Sequence, residues 1–425
     1  MMENGAISRR SFLRVVTFSA GAVLTGCGSD ADRPALGKIR LTQWYHQYET
    51  GAHAAVLRYA REYTELYPHI EIKVIWVPGN YPTKLSTGLI ANMGPDIFEA
   101  NLSNILGAVA AGHVLPLDDL LTEVDRQDFD SSSLALNTVG GKLYGIPEVV
   151  DVCLLYYRPS LFKAAGVQPP TTMDELIAVS KALTGPRTKG LFVGNDGGMT
   201  SLLGVVPWSG GADFIVDGKI AFDTVQTATA FEKIKELYDS GSLLVGAPTD
   251  WWVPDAFTEN LAAMQWTGFW AMKEITGALG DDVGIIPWPP LTQSSECAPV
   301  TPLTVWAECI NANSPHLEEA RRFVRWLWIE NRKNQEDFCT SYGLHIPPRQ
   351  SVTANTQLFA NGIARTAIEI ARRYRHVFSS TWTSAMQTFL VHALSRIIRE
   401  NRPPAEEIHM AAGRCAAELA DQSAA

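Results

Sequence analysis

The chain has 425 residues, 46% of them hydrophobic, and a formal net charge of −10. That composition is globular and excludes a disordered chain, and the length exceeds what one core usually supports, so two domains are expected. The acidic balance comes without a basic stripe, which disfavours nucleic acid and polyanionic ligands as partners.

Residues 1–27 read as an address rather than a fold. Ser8-Arg9-Arg10-Ser11-Phe12-Leu13 reads as a twin-arginine export signal, and the apolar stretch from Val15 to Leu24 is too short to span a bilayer. Leu24-Thr25-Gly26-Cys27 resembles the lipobox of bacterial lipoproteins, in which the Cys is lipidated and becomes the new N-terminus. Two acyl chains or more would hold the protein at a membrane surface. Residues 28–37 are small, polar and Pro-containing, as a tether is. No later run has about eighteen unbroken apolar residues, so the rest is expected to be soluble. Beyond Cys27 the cysteines are Cys153, Cys297, Cys309, Cys339 and Cys415. Export permits a disulfide, the odd number leaves at least one thiol over, and the pairing stays open. There is no C-x-x-C, and neither a metal nor a cofactor is expected.

Strand and helix signals then alternate. Lys38 to Trp44 is strand-like, and Gly51 to Tyr67 has apolar residues at helical spacing and stops before Pro68. Ile70 to Val77 alternates as a strand, Tyr81 to Asn92 is helical, and Gly94-Pro95-Asp96 turns into the short run Ile97-Phe98. Such alternation predicts a mainly parallel sheet covered by helices, with ligand beyond the carboxyl ends of its strands. That rule points to Trp44-Tyr45 and to Glu99-Ala100-Asn101. Lys142 to Pro147 is a strand with a Gly turn, and Val149 to Tyr157 is an apolar run broken by Asp151. Thr172 caps a helix with Glu175 three residues on, and Val225 to Tyr238 is amphipathic. Leu261–Trp266 and Val283–Trp288 read as strands, Glu318–Glu330 and Ser384–Arg399 as helices.

In this order the chain carries Gly94-Pro95-Asp96-Ile97-Phe98, Tyr144-Gly145-Ile146-Pro147, the stretch Leu155 to Val167 followed by Pro169-Pro170-Thr171-Thr172, Gly210-Gly211 with Asp217-Gly218-Lys219, and Ala263 to Trp270. Together they resemble the family 1 extracellular solute-binding proteins, the group that includes maltose-binding protein, from about Ile39 to Leu419. The match departs at Tyr157-Arg158, where the family has Tyr-Asn. The resemblance implies an α/β fold of two lobes joined by a hinge, the class II periplasmic-binding-protein fold. Lobe one would hold residues 38–148 with about 307–330, and lobe two 149–306 with about 335–425. The chain would cross between them near Glu148–Val152, Leu303–Ala307 and Ile329–Gln335. It also implies a monomer that captures a sugar for an ABC importer, with membrane permeases as partners and no catalysis.

A neutral sugar offers C–H faces for aromatic rings and hydroxyls for polar partners. The resemblance puts Trp270, in the family's Gly-x-Trp, and Trp382, near the start of a late helix, at the cleft. Trp44, Trp208 and Trp306 are further ring candidates. Of Trp251-Trp252 at most one is expected to face a ligand, since consecutive side chains diverge. Glu99, Asn101, Glu148 and Asp151 are the polar candidates, each also readable as a loop charge or helix cap. Maltose-binding protein has an Asp-Arg pair in the segment corresponding to Glu99-Ala100-Asn101-Leu102-Ser103, so the hydroxyl-reading set differs here. Three other readings carry less: a glycoside hydrolase, whose paired carboxylates any acidic chain can supply; a ferric-ion carrier using Tyr156-Tyr157; and a sensor whose closed form a receptor reads.

Overall fold

The computed structural model describes residues 37–46, 50–341 and 343–424. The export signal, Cys27 and the tether up to Leu36 lie outside the described residues.

Strand β1 (Ile39–His46) and β2 (Ile70–Val77) pair in parallel along their whole length, from Ile39 opposite Ile70 to His46 opposite Val77. Leu41, Gln43 and Tyr45 point inward while their neighbours are half-buried, the period of two that the residue alternation predicts. The helix α1 (Thr50–Leu66) joins them and buries Ala52, Val56, Tyr59 and Tyr63, spaced three or four apart, on the sheet. Strand β3 (Ile97–Ala100) is parallel to β1 on its other side. Helices α2 (Tyr81–Ile90) and α3 (Leu102–Ala110) flank β3 in sequence, each capped by an asparagine, Asn80 and Asn101.

Two long strands then tie the molecule together: β4 (Ile146–Tyr157) and β8 (Thr301–Ile310). With β5 (Lys189–Phe192), β6 (Ala262–Gly268), β7 (Gly284–Ile286) and β9 (Arg375–His376) they complete a nine-stranded sheet. Its main path runs β2-β1-β3-β8-β4-β6-β5, with β7 on β4 and β9 on β8. The first part of β4 and the end of β8 belong to the first lobe, where Ala307 to Ile310 pair with β3. The far end of β4, Cys153 to Tyr157, pairs with β6 in the second. In between, Leu303 to Glu308 pair with Val152 to Ile146, so the two expected crossovers lie side by side. The sheet is mixed rather than mainly parallel. β4 leaves the first lobe and β8 returns to it, so β4 with β8, β8 with β3 and β4 with β6 are all antiparallel.

Helix Arg332–Ser341 packs on α1, with the Tyr59 hydroxyl 2.5 Å from Asp337 and Arg58 paired to the same carboxylate. These contacts hold residues 332–341 to the first lobe, past the crossing expected at Ile329–Gln335. The chain reaches the hinge afterwards, where His345 meets Asp151 and Ile346 bridges to Val150. In the second lobe, side chains of helices Met173–Leu183, Val225–Asp239, Ser384–Glu400 and Pro404–Ala424 share one core with Trp266 and Trp288. Cys153, Cys297, Cys309, Cys339 and Cys415 are all free thiols.

Candidate functional site

The carboxyl ends of β1 and β3 lie next to each other, and β1 ends on His46. Trp44 and His46 share one face of the strand and Tyr45 the other. Glu99, fully buried in β3, accepts from the His46 backbone N–H at 3.2 Å and lies 2.5 Å from Nδ1 of its ring. The His46 ring stacks on Trp306 at 4.1 Å and 27°. Trp306 sits where the register of β8 against β4 shifts, between buried Val305 and Ala307, and is itself half-buried. Such irregularities re-aim a side chain, often beside a functional site. Tyr81, the first residue of α2, closes the group: its hydroxyl donates to the Glu99 carbonyl at 2.6 Å, and its ring lies edge-on to Trp306.

Beneath these rings are three buried carboxyls, Glu99, Glu148 and Glu308. Glu308 Oε2 accepts from Gln43 Nε2 at 2.9 Å, the Tyr45 hydroxyl at 2.8 Å and Trp328 Nε1 at 2.9 Å. Burial lifts its pKa to about 7 despite these donors. Glu148, on β4, is raised well above the ordinary carboxyl range by burial and then by the charge of Glu99. The unfolded chain releases both protons near pH 4.5, whereas the folded protein keeps them longer. The folded state therefore binds more protons above that pH, and stability is fully present below it and falls as pH rises toward about 7 and beyond. Glu148→Gln keeps the neutral shape and removes one titration. Its denaturant midpoint should fall less than that of the unaltered protein between about pH 5 and about pH 8. Parallel pH profiles would refute the account.

The second lobe supplies an indole group. Asn195 holds the loop before it, accepting from Gly246 and Ala247 N–H at 3.0 and 2.7 Å and donating to the Ala247 and Thr249 carbonyls. Asp250 accepts from the Trp251 N–H at 2.8 Å, and Gln265 of β6 donates to the Trp251 and Val253 carbonyls. The ring of Trp251 thereby stands edge-on between Trp252 at 6.1 Å and Trp270 at 5.9 Å. Trp270 Nε1 donates to the Trp252 carbonyl at 2.9 Å, and its ring lies across Gly268, where a Cβ would be 2.0 Å away. Trp252 is 52% exposed.

Of the expected site residues, Glu99, Glu148 and Trp306 thus lie together in the first lobe and hinge, and Trp270 lies in the second. The others are placed differently. Tyr45 is fully buried against Trp76 and bonded to Glu308, because its strand position faces the core. Trp44 is half-buried against Gly88 of α2. Asn101 caps α3 by accepting from Asn104 N–H at 3.3 Å. Asp151 is buried with its carboxylate 2.6 Å from Nδ1 of the His345 ring. Trp208, 2% exposed, donates to Asp213 and packs on Phe214, His376 and Phe378. Trp382, also 2% exposed, is enclosed by Phe214, Phe222 and Phe378. Tyr156 and Tyr157 diverge as strand neighbours must. The first donates to the Gly268 carbonyl and the second packs on Phe162, so they do not form a shared metal site. His46, Tyr81, Glu308 and the joint Trp251–Trp252–Trp270 group were not singled out. For His46 the signal was present: the period of two pairs it with Trp44 at the strand end.

Paired strands thus link two α/β lobes, with a polar–aromatic cluster on one side of the hinge and an indole cluster on the other. The family model for bacterial extracellular solute-binding proteins matches residues 48–327. The chain belongs to this family. An arabinooligosaccharide-binding protein of Bacillus subtilis is 25% identical over 231 residues, 52% of either chain. The maltodextrin-binding protein MdxE of the same organism is 26% identical over 269 residues, 59% of this chain and 60% of that one. The chain spans about half the length of the first curated relatives it matches. The GacH receptor of Streptomyces glaucescens, solved unliganded and with acarbose, superposes with a TM-score of 0.78 at 20% identity, covering 90% of this chain and 98% of that one. UgpB of Mycobacterium tuberculosis, solved with glycerophosphocholine, gives 0.76 at 18% identity, covering 91% and 100%. At such identities the likeness establishes the two-lobed fold of this solute-binding protein. The ligand class has to be argued from the site.

Proposed function

We propose that the protein captures a carbohydrate between its lobes and hands it to the membrane permeases of an ABC importer, without chemistry on the ligand. The observation that carries this is the pair of aromatic surfaces on the two sides of the hinge. Trp306 stands opposite Val149 of β4, and Gly268, which carries the Trp270 ring, stands opposite Cys153. Four strand residues separate these positions, about 13 Å along β4. Aromatic rings on both sides of the hinge suit the C–H faces of a sugar. Relatives named as arabinooligosaccharide- and maltodextrin-binding proteins support the same class.

In this reading residues 38–148 and 307–341 move as one lobe, 149–306 and 362–424 as the other, and closure bends β4 and β8. Cys27 would carry the lipid that holds a monomer outside the cytoplasmic membrane. A Cys27→Ala chain that stayed in the membrane fraction would end that part. The ligand class is tested by thermal shift of the protein from about Pro34 against neutral saccharides, with glycerophosphocholine alongside. A saccharide at a hundred times its dissociation constant should add about 2.7 kcal/mol. No shift with any saccharide would sink the reading, and a shift with glycerophosphocholine alone would replace it.

A further inference from the structure

A cavity of about 420 Å³ lies between α2 and α3, with Ser384 of the second lobe on its rim. That volume is in the range of small-molecule sites. Its polar lining is made of the hydroxyls of Thr83, Ser86, Thr87, Ser103 and Ser384, the Asn104 amide and the His113 imidazole. Its apolar lining is Leu85, Leu89 and Ala108, and no Lys, Arg, Asp or Glu lines it among the described residues. Asn104 Oδ1 is buried without a hydrogen-bond partner, a state that normally calls for a missing donor. The groove starts at Pro82, one residue beyond Tyr81, whose ring meets His46 and Trp306, and at Ser103, two residues beyond Asn101, which follows β3. From there it follows α2 for about 15 Å at 1.5 Å per residue.

We infer that this groove is an outer subsite of the cleft, taking the distal, uncharged part of an oligosaccharide whose first ring lies against Trp306. Hydroxyls and an amide interleaved with aliphatic surface match a neutral glycan, which alternates hydroxyls with C–H faces. A charged ligand would find no Lys, Arg, Asp or Glu there, and a purely apolar one would strand the hydroxyls. Ser384 belongs to the second lobe, so the groove is complete only at one lobe angle, and a longer ligand gains contacts on closure. The inference rests on the carbohydrate reading above and adds length selection to it.

Gly107 gives a clean probe. It is exposed, it has ordinary helical φ, and a Cβ there would have nothing within 4 Å. Gly107→Leu should therefore fill the groove and leave the ligand-free melting temperature unchanged. Ser384→Trp obstructs the same space from the other lobe. Affinities of the unaltered protein and both variants are measured against maltooligosaccharide and arabinooligosaccharide ladders, from monosaccharide upward. The unaltered protein should bind longer members of one ladder more tightly. Both variants should lose about tenfold or more on those members and stay within about twofold on the shortest that binds. Equal losses at all lengths, no loss, or no gain with length in the unaltered protein would each overturn the subsite while leaving carbohydrate binding intact. Failure of every saccharide to bind would instead overturn the carbohydrate reading on which the subsite depends.

Discussion

Trp382→Ala should lower folding stability by about 3–5 kcal/mol, the range for truncating a core aromatic. The ring is 2% exposed, edge-on to Phe214 at 4.6 Å and to Phe222 at 6.0 Å, and stacked with Phe378 at 5.9 Å. Removing it leaves three aromatic faces around a void, each of them in or packed against the same core, so the site collapses poorly. Trp382→Phe, which keeps most of the volume, should recover much of the loss. Urea titration of the ligand-free proteins is the measurement. The resemblance-based expectation for this residue, a ring on the ligand, forecasts unchanged stability and weakened binding. A Trp382→Ala midpoint close to that of the unaltered protein would restore that expectation and refute burial.

The contrast between Trp382 and Trp270 shows what a single sequence exposes. The alternation of β1, α1 and β2 was legible because period two and period three-to-four spacing are local properties. Ile70–Val77 therefore came out with the observed bounds, and Thr172 caps its helix as read, accepting from Glu175 N–H. Nothing local says that Ile146–Val152 and Leu303–Glu308, more than a hundred residues apart, pair with each other. Ring placement was not local. Phe214 and Phe222 lie more than a hundred residues before Trp382, on either side of the Ile215–Ile220 hairpin, and only the folded lobe brings them around it. The same holds for Glu308, whose donors come from β1, with Gln43 and Tyr45, and from the helical turn of Trp328 almost three hundred residues later. A glutamate in an apolar strand gives no sign of being the hub of a buried network. The sheet was expected to be mainly parallel because a βαβα pattern determines direction only between consecutive strands, whereas β8 returns across the hinge to pair antiparallel with β3 and β4.

Trp270→Ala should weaken saccharide binding by roughly ten- to a hundredfold, the equivalent of about 1.5–3 kcal/mol for a ring's apolar face. Its effect on the ligand-free melting temperature should be small, because the ring is half-buried, unlike Trp382. The loss has two sources. The ring's own face goes, and so does the bond from Trp270 Nε1 to the Trp252 carbonyl, which helps fix the loop carrying Trp251 and Trp252. Trp270→Phe separates them: it keeps an aromatic face and abolishes the bond, so its deficit measures the contribution of loop order alone. A second route to the same result leaves every indole in the chain. A Cβ at Gly268 would stand 2.0 Å from the Trp270 ring, too close for the ring to stay. Gly268→Ala must push it off the strand end, and binding should fall as in Trp270→Ala. The double variant should then be little worse than either alone, since the two changes remove one shared contact surface. Calorimetric titration of the four proteins against whichever saccharide stabilises the unaltered chain reads this directly. Full affinity in Gly268→Ala together with full affinity in Trp270→Ala would place the ligand away from the indole group and leave the aromatic-cleft reading without its second wall.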